Sequence, residues 1–96
     1  MIEVRQAAVF AAWLRGLRDR GGATRIAGRI RRLAVGNFGD VRPVGEGISE
    51  LRIDHGPGYR VYFVKRGADL VILLGGGDKS SQARDIVAGK MLAREV

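Results

Sequence analysis

Apolar residues in the first third of the chain recur at helical spacing. Phe10, Trp13, Leu14 and Leu17 fall at i, i+3, i+4 and i+7, which predicts an amphipathic helix from about Ala7 to Arg20. Gly21-Gly22 reads as its stop. Thr24 is a candidate cap for a second helix, whose apolar stripe is Ile26, Ile30 and Leu33 and which Gly36-Asn37 ends. Two helices joined by a Gly-Gly turn make a hairpin.

After Asn37 the pattern changes to short runs separated by Gly and Pro, as in strands and turns. Asp40 to Val44 reads as a short strand and Gly45-Glu46-Gly47 as a turn. In Ile48 to Asp54, alternation puts Leu51 and Ile53 on one face and Glu50 and Arg52 on the other. Gly56-Pro57-Gly58 closes a hairpin into Tyr59 to Lys65. Arg66-Gly67-Ala68-Asp69 turns again into Leu70 to Leu74, a continuous apolar run suited to a buried central strand. Gly75-Gly76-Gly77 is expected to let the backbone leave the sheet. Asp78 is a candidate N-cap, and Ser80-Ser81-Gln82 opens a last helix with Ala83, Ile86, Val87 and Met91 on its apolar face. Ile2 to Arg5 can add an edge strand. The order β-α-α-β-β-β-β-α predicts one α+β domain over residues 1–96. Its expected form has two layers, a helical hairpin on an antiparallel meander sheet with a C-terminal helix.

The length of 96 residues supports one core. There is no cysteine, which removes disulfides, thiolate metal sites and thiol nucleophiles together. One histidine cannot make a metal site, so neither metal nor cofactor is expected. The start of the chain lacks the pattern of a signal peptide, and no apolar run approaches the roughly 20 residues of a membrane span. A soluble cytoplasmic protein is the expectation.

Charge changes the picture further. Seventeen basic against 10 acidic residues give a formal +7, and 14 of the 17 are arginine. Guanidinium groups fork onto phosphates and stack on bases, which points to an anionic partner, RNA first. A high-GC genome would also favour Arg, Ala and Gly, so codon usage accounts for part of the bias. Residues 14–32 hold seven arginines and one acid, Asp19. Arg15, Arg18, Arg25, Arg29 and Arg32 are the candidates for gripping RNA or ribosome, the last three at helical spacing on a face offset from the apolar stripe.

Chemistry is expected in and beside the sheet. Arg60 shares a strand face with Tyr62 and Val64, and Arg52 lies opposite across the Gly56-Pro57-Gly58 turn if the hairpin is regular. Lys79 begins the last helix. Cations converging with a tyrosine suit a scissile phosphate. The competing structural reading pairs the strand arginines with Glu50 or Asp54. The Gly75–Ser80 segment is glycine-rich with a Lys-Ser pair but lacks the spacing of a P-loop, and its Asp78 would repel phosphate.

Several blocks taken in order resemble a known family: Trp13-Leu14, Arg29 to Leu33, Gly36-Asn37-Phe38-Gly39-Asp40, Glu50-Leu51-Arg52-Ile53, Gly56 to Phe63 and Gly76 to Gln82. These are similar to the HigB-like addiction-module killer proteins of the RelE/ParE toxin superfamily. The resemblance implies a RelE-like fold and a type II toxin that cleaves mRNA, usually in the ribosomal A site. It also implies silencing by an antitoxin, expected from a neighbouring gene and with a helix-turn-helix. By the same resemblance Arg60 and Arg52 occupy basic positions of the family on adjacent strands, and Lys79 lies near its basic residue after the last strand. The tyrosine that RelE-type nucleases carry in the C-terminal helix has no counterpart here; Gln82 or Asp85 stands in about that place, and His55 and Tyr62 are the candidates for proton transfer. Two other readings stay open, a ParE-like inhibitor that binds DNA gyrase without an active site, and a non-toxic binding module.

Overall fold

The computed structural model describes residues 1–96. Its elements are β1 (Glu3–Gln6), α1 (Ala8–Gly16), α2 (Arg20–Ala34), β2 (Val41–Gly45), β3 (Ile48–Ile53), β4 (Tyr59–Arg66), β5 (Leu70–Gly77) and α3 (Gln82–Ala93), with a 3₁₀ turn at Lys79–Ser81 leading into α3. This is the expected α+β order. The strands form one mixed sheet in the order β1-β5-β4-β3-β2. β2 to β5 make the antiparallel meander, and β1 adds to the edge parallel to β5.

Alternation along the strands gives the sheet two apolar faces. Leu51, Ile53, Tyr59, Val61, Phe63, Val71 and Leu73 point one way and meet Phe10 of α1 with Ile26 and Leu33 of α2. Ile48, Tyr62, Val64, Ile72 and Leu74 point the other way, where Ile86, Leu92 and Ala93 of α3 cover them. The helices therefore lie on both faces, a correction to the expected two layers. The cause is visible in β4, whose residues Tyr59 to Val64 are all buried. A strand apolar on both sides is stable only when both sides are covered.

Gly22, Gly76 and Gly77 act as points of close approach, not as turns. α1 ends at Gly16, and α2 already begins at Arg20. Asp19, not Thr24, caps α2, its side chain accepting from the Gly22 amide at 2.9 Å. The Thr24 hydroxyl instead donates back to the Arg20 carbonyl at 3.0 Å. Gly22 is needed because a Cβ there would stand 2.5 Å from Tyr59 Cε2. The strand β5 likewise continues through Gly77 and does not leave the sheet at Gly75. A side chain at Gly76 would collide with the Trp13 ring, and one at Gly77 with Asp85. Sheet and helices thus meet at bare backbone on both faces. Asp78 does cap the following turn, accepting from the Ser80 amide at 2.8 Å.

Candidate active site

The β3–β4 hairpin is regular, with Arg52 opposite Arg60 and Glu50 opposite Tyr62. All four side chains lie on the face that α3 covers. Glu50 has no exposed surface, and a carboxylate removed from water must be compensated by hydrogen bonds and opposite charge. Its Oε2 accepts from the Tyr62 hydroxyl at 3.2 Å and from Gln82 Nε2 at 2.7 Å. Its Oε1 faces Arg60 Nε at 3.6 Å and Arg52 Nε at 3.9 Å. Those separations are ionic, not hydrogen-bonded, and the three facing atoms have no hydrogen-bond partner in the protein. Arg60 is 7% exposed, whereas the Arg52 side chain is 34% exposed.

The two guanidiniums border a cleft of about 280 Å³ lined also by Asp40, Ile53, Asp54 and Gly58. A second cleft of about 270 Å³ shares Asp40, Ile53 and Asp54 and continues to Arg25, Arg29 and Arg32. Together they form one groove from α2 to the β3–β4 pair. Lys79 is exposed on the same rim as Arg60. Its amide donates to the Pro57 carbonyl at 3.4 Å. A Cβ at Gly58 would lie 3.6 Å from Lys79 Cβ and 3.9 Å from Arg60 Nη1. Arg52 and Arg60 thus share the cleft, as the regular hairpin predicts, and Lys79 starts beside it at Gly58 without lining it.

Two expected site residues do not line the cleft. Tyr62 is fully buried; burial, and then the charge of Glu50, hold its phenol far above the usual range. It is a support for Glu50, and it does not face solvent. His55 lies beside the helical hairpin, with Nε2 3.6 Å from Asp19 Oδ2 and its ring stacked on Tyr59 at 6.4 Å. Tyr59 and Asp19 belong to the hairpin side of the sheet, so His55 is separated from the arginine pair. Ile53, the last residue of β3, faces the hairpin side, and the turn that follows carries His55, three residues after Arg52, to that same side.

The helix arginines divide. Arg25 and Arg32 are exposed and line the groove. Arg29 turns inward and donates to the carbonyls of Arg52 at 2.5 Å, Phe38 at 3.1 Å and Asp40 at 3.3 Å. It ties α2 to the start of β2 and the end of β3, a structural task in place of the expected open docking group. Burial lowers its affinity for its proton below the ordinary guanidinium value, and Arg32 beside it adds to this. Arg15 and Arg18 line a separate cleft of about 480 Å³ with Arg20 at the α1–α2 junction.

Sequence reasoning named Glu50 as a structural partner of the strand arginines, which the ion pairs bear out, and Gln82 only as standing near the place of the family's helix tyrosine; it missed that the two meet. Their signal was present: Glu50 shares the strand face of Arg52 and sits opposite Tyr62. Strand alternation assigns it to the face with Arg52, but burial of that face depends on α3.

Fold and site together define a small α+β domain with a mixed five-stranded sheet and an arginine pair set on a buried carboxylate. No helix is long and apolar enough to cross a membrane. The chain belongs to one family with an uncharacterized protein of Haemophilus influenzae, to which it is 48% identical over 95 residues, covering 99% of this chain and 96% of that protein. No protein-family model matches the chain. No solved structure matches it.

Proposed function

We propose that this protein is the toxin of a type II toxin–antitoxin pair and acts as an mRNA endonuclease, with the ribosomal A site as its setting. The observation that carries the reading is the pairing of Arg52 and Arg60 at one end of a groove that Arg25 and Arg32 continue, with the exposed Lys79 starting beside Gly58 at its rim. It is supported by the resemblance of the Gly56 to Phe63 and Gly76 to Gln82 blocks to the RelE/ParE superfamily. Along the two clefts Arg25, Arg29, Arg32, Arg52 and Arg60 outnumber Asp40 and Asp54 with Glu50 buried beneath them, the excess of positive charge that a polyanionic substrate requires.

In the proposed reaction the ribose 2′-oxygen attacks the adjacent phosphorus. A 2′-O–P bond forms as the 2′-hydroxyl gives its proton to water, the P–O5′ bond breaks as the leaving oxygen takes a proton from water, and the products are a 2′,3′-cyclic phosphate and a 5′-hydroxyl end. Charge gathers on the non-bridging oxygens of the phosphorane, where Arg52 and Arg60 offset it. Lys79, on the outer rim, holds the neighbouring phosphate.

A cell-free translation reaction with end-labelled message tests the proposal. Wild-type protein should cut the message, and Arg60→Ala should slow cutting by roughly 10²-fold or more. Inhibited translation with intact message would overturn it. Inhibited DNA supercoiling without RNA fragments would transfer the assignment to a ParE-like gyrase binder. Co-purification with the product of the neighbouring gene tests the antitoxin partner.

A further inference from the structure

A carboxylate among the catalytic candidates invites a role as general base, yet Glu50 is closed off from solvent and already occupied. Oε2 holds Tyr62 and Gln82, and Oε1 sits between the Nε atoms of Arg52 and Arg60. What this geometry does is orient. An arginine side chain has many rotamers, and two facing each other across a strand pair repel and splay. Here one fixed negative atom draws the Nε edge of each guanidinium inward. The terminal nitrogens are then left for the cleft, where a planar fork matches the oxygens of a phosphate.

We propose that Glu50 is a positioning residue for the nuclease site. It sets Arg52 and Arg60 as a paired phosphate fork, and Gln82 locks Glu50 in place from α3. The inference rests on the proposed nuclease reading for its kinetic consequence, but not for its structural one. Glu50 never touches substrate. Its charge opposes ground-state binding of an anion while its position serves the transition state.

Two measurements on the full chain separate the possibilities. In single-turnover cleavage of mRNA programmed into ribosomes, Glu50→Gln should lower the maximal rate by roughly tenfold to a hundredfold, with the half-saturating concentration unchanged or lower. Gln82→Ala, which leaves the charge and loosens its hold, should give a smaller loss of the same kind and serves if the Glu50 variant does not fold. In nitrogen-15 spectra, the Nε–H signals of Arg52 and Arg60 should be protected from exchange in the wild type and lose protection in Glu50→Gln. Wild-type rates in both variants, or Nε–H signals indifferent to them, would overturn the positioning role. A wild-type protein that cleaves no RNA, but whose Nε–H protection depends on Glu50, would reject the nuclease reading and uphold the brace.

Discussion

Arg52 and Arg60 are register partners on adjacent strands, and their Nε atoms converge on one buried oxygen, Glu50 Oε1, at 3.9 and 3.6 Å. Like charges directly opposite in a sheet normally destabilise the pairing. Here the carboxylate between them reverses the sign, and each charge needs the others. Arg60→Ala should destabilise the fold by about 2–3 kcal/mol, because it leaves Glu50 buried with only the half-exposed Arg52 beside it. Adding Glu50→Gln to that variant should recover at least about 1 kcal/mol. Urea denaturation of the single and double variants gives the coupling directly.

The arginines of α2 should separate in the same measurement. Arg29→Ala removes the donor to three backbone carbonyls and should cost about 1–3 kcal/mol. Arg25→Ala and Arg32→Ala, both exposed, should stay within about 0.5 kcal/mol of the wild type. Their effect belongs in RNA binding: each should weaken it and reduce the salt dependence of the binding constant by about one ion, as read by filter binding across a salt series.

Two helical glycines, Gly22 in the first turn of α2 and Gly16 at the end of α1, should respond with opposite sign. At Gly22 a methyl group would meet the Tyr59 ring and Asp19, so Gly22→Ala should destabilise by about 1–3 kcal/mol. At Gly16, in α1, nothing lies within 4 Å of the added carbon. Gly16→Ala should therefore stabilise by about 0.4–1 kcal/mol through the unfolded chain. Thermal melts of the two variants suffice.

Acid should weaken the fold at the capping aspartates. Asp19 is held below its ordinary value of 3.8, first by the Gly22 amide and then by the Tyr59 hydroxyl. Asp78 is held down by the Ser80 hydroxyl and amide. Because both are depressed in the folded state, the unfolded chain takes up protons first. Their contribution is complete above the unfolded value and is lost as pH falls through the folded one. Asp19→Asn keeps a capping oxygen but removes the charge. Its urea midpoint, followed from about pH 6 to about pH 2.5, should fall less steeply than that of the wild type.

Much of the fold was legible along the chain. The i, i+3, i+4 spacing of Phe10, Trp13 and Leu14 found α1, alternation found the meander, and Gly56-Pro57-Gly58 predicted the hairpin that sets Arg52 against Arg60. Tyr62 was misjudged because alternation tells which residues share a face without telling how deeply that face is buried, and His55 because it lies past the end of β3 in the turn that sets it on the hairpin side. Gly21-Gly22 and Gly75 to Gly77 were misread because a glycine that makes room for Tyr59, Trp13 or Asp85 looks the same in sequence as one that makes a turn.

Local physics therefore lies in the sequence itself: helical and strand periods, turn chemistry, the concentration of positive charge on the hairpin, and the opposition of two arginines across a short turn. Each depends on residues a few positions apart. The tertiary structure decided that α3 crosses to the far face, brings Gln82 to Glu50 across 32 residues, and turns an apparently solvent-facing carboxylate into a buried brace. It also decided that Arg29 spends its donors on backbone carbonyls while Arg25 and Arg32 remain free to meet an anion. A carboxylate's role depends on whether water can reach it, and that is determined by what packs over it.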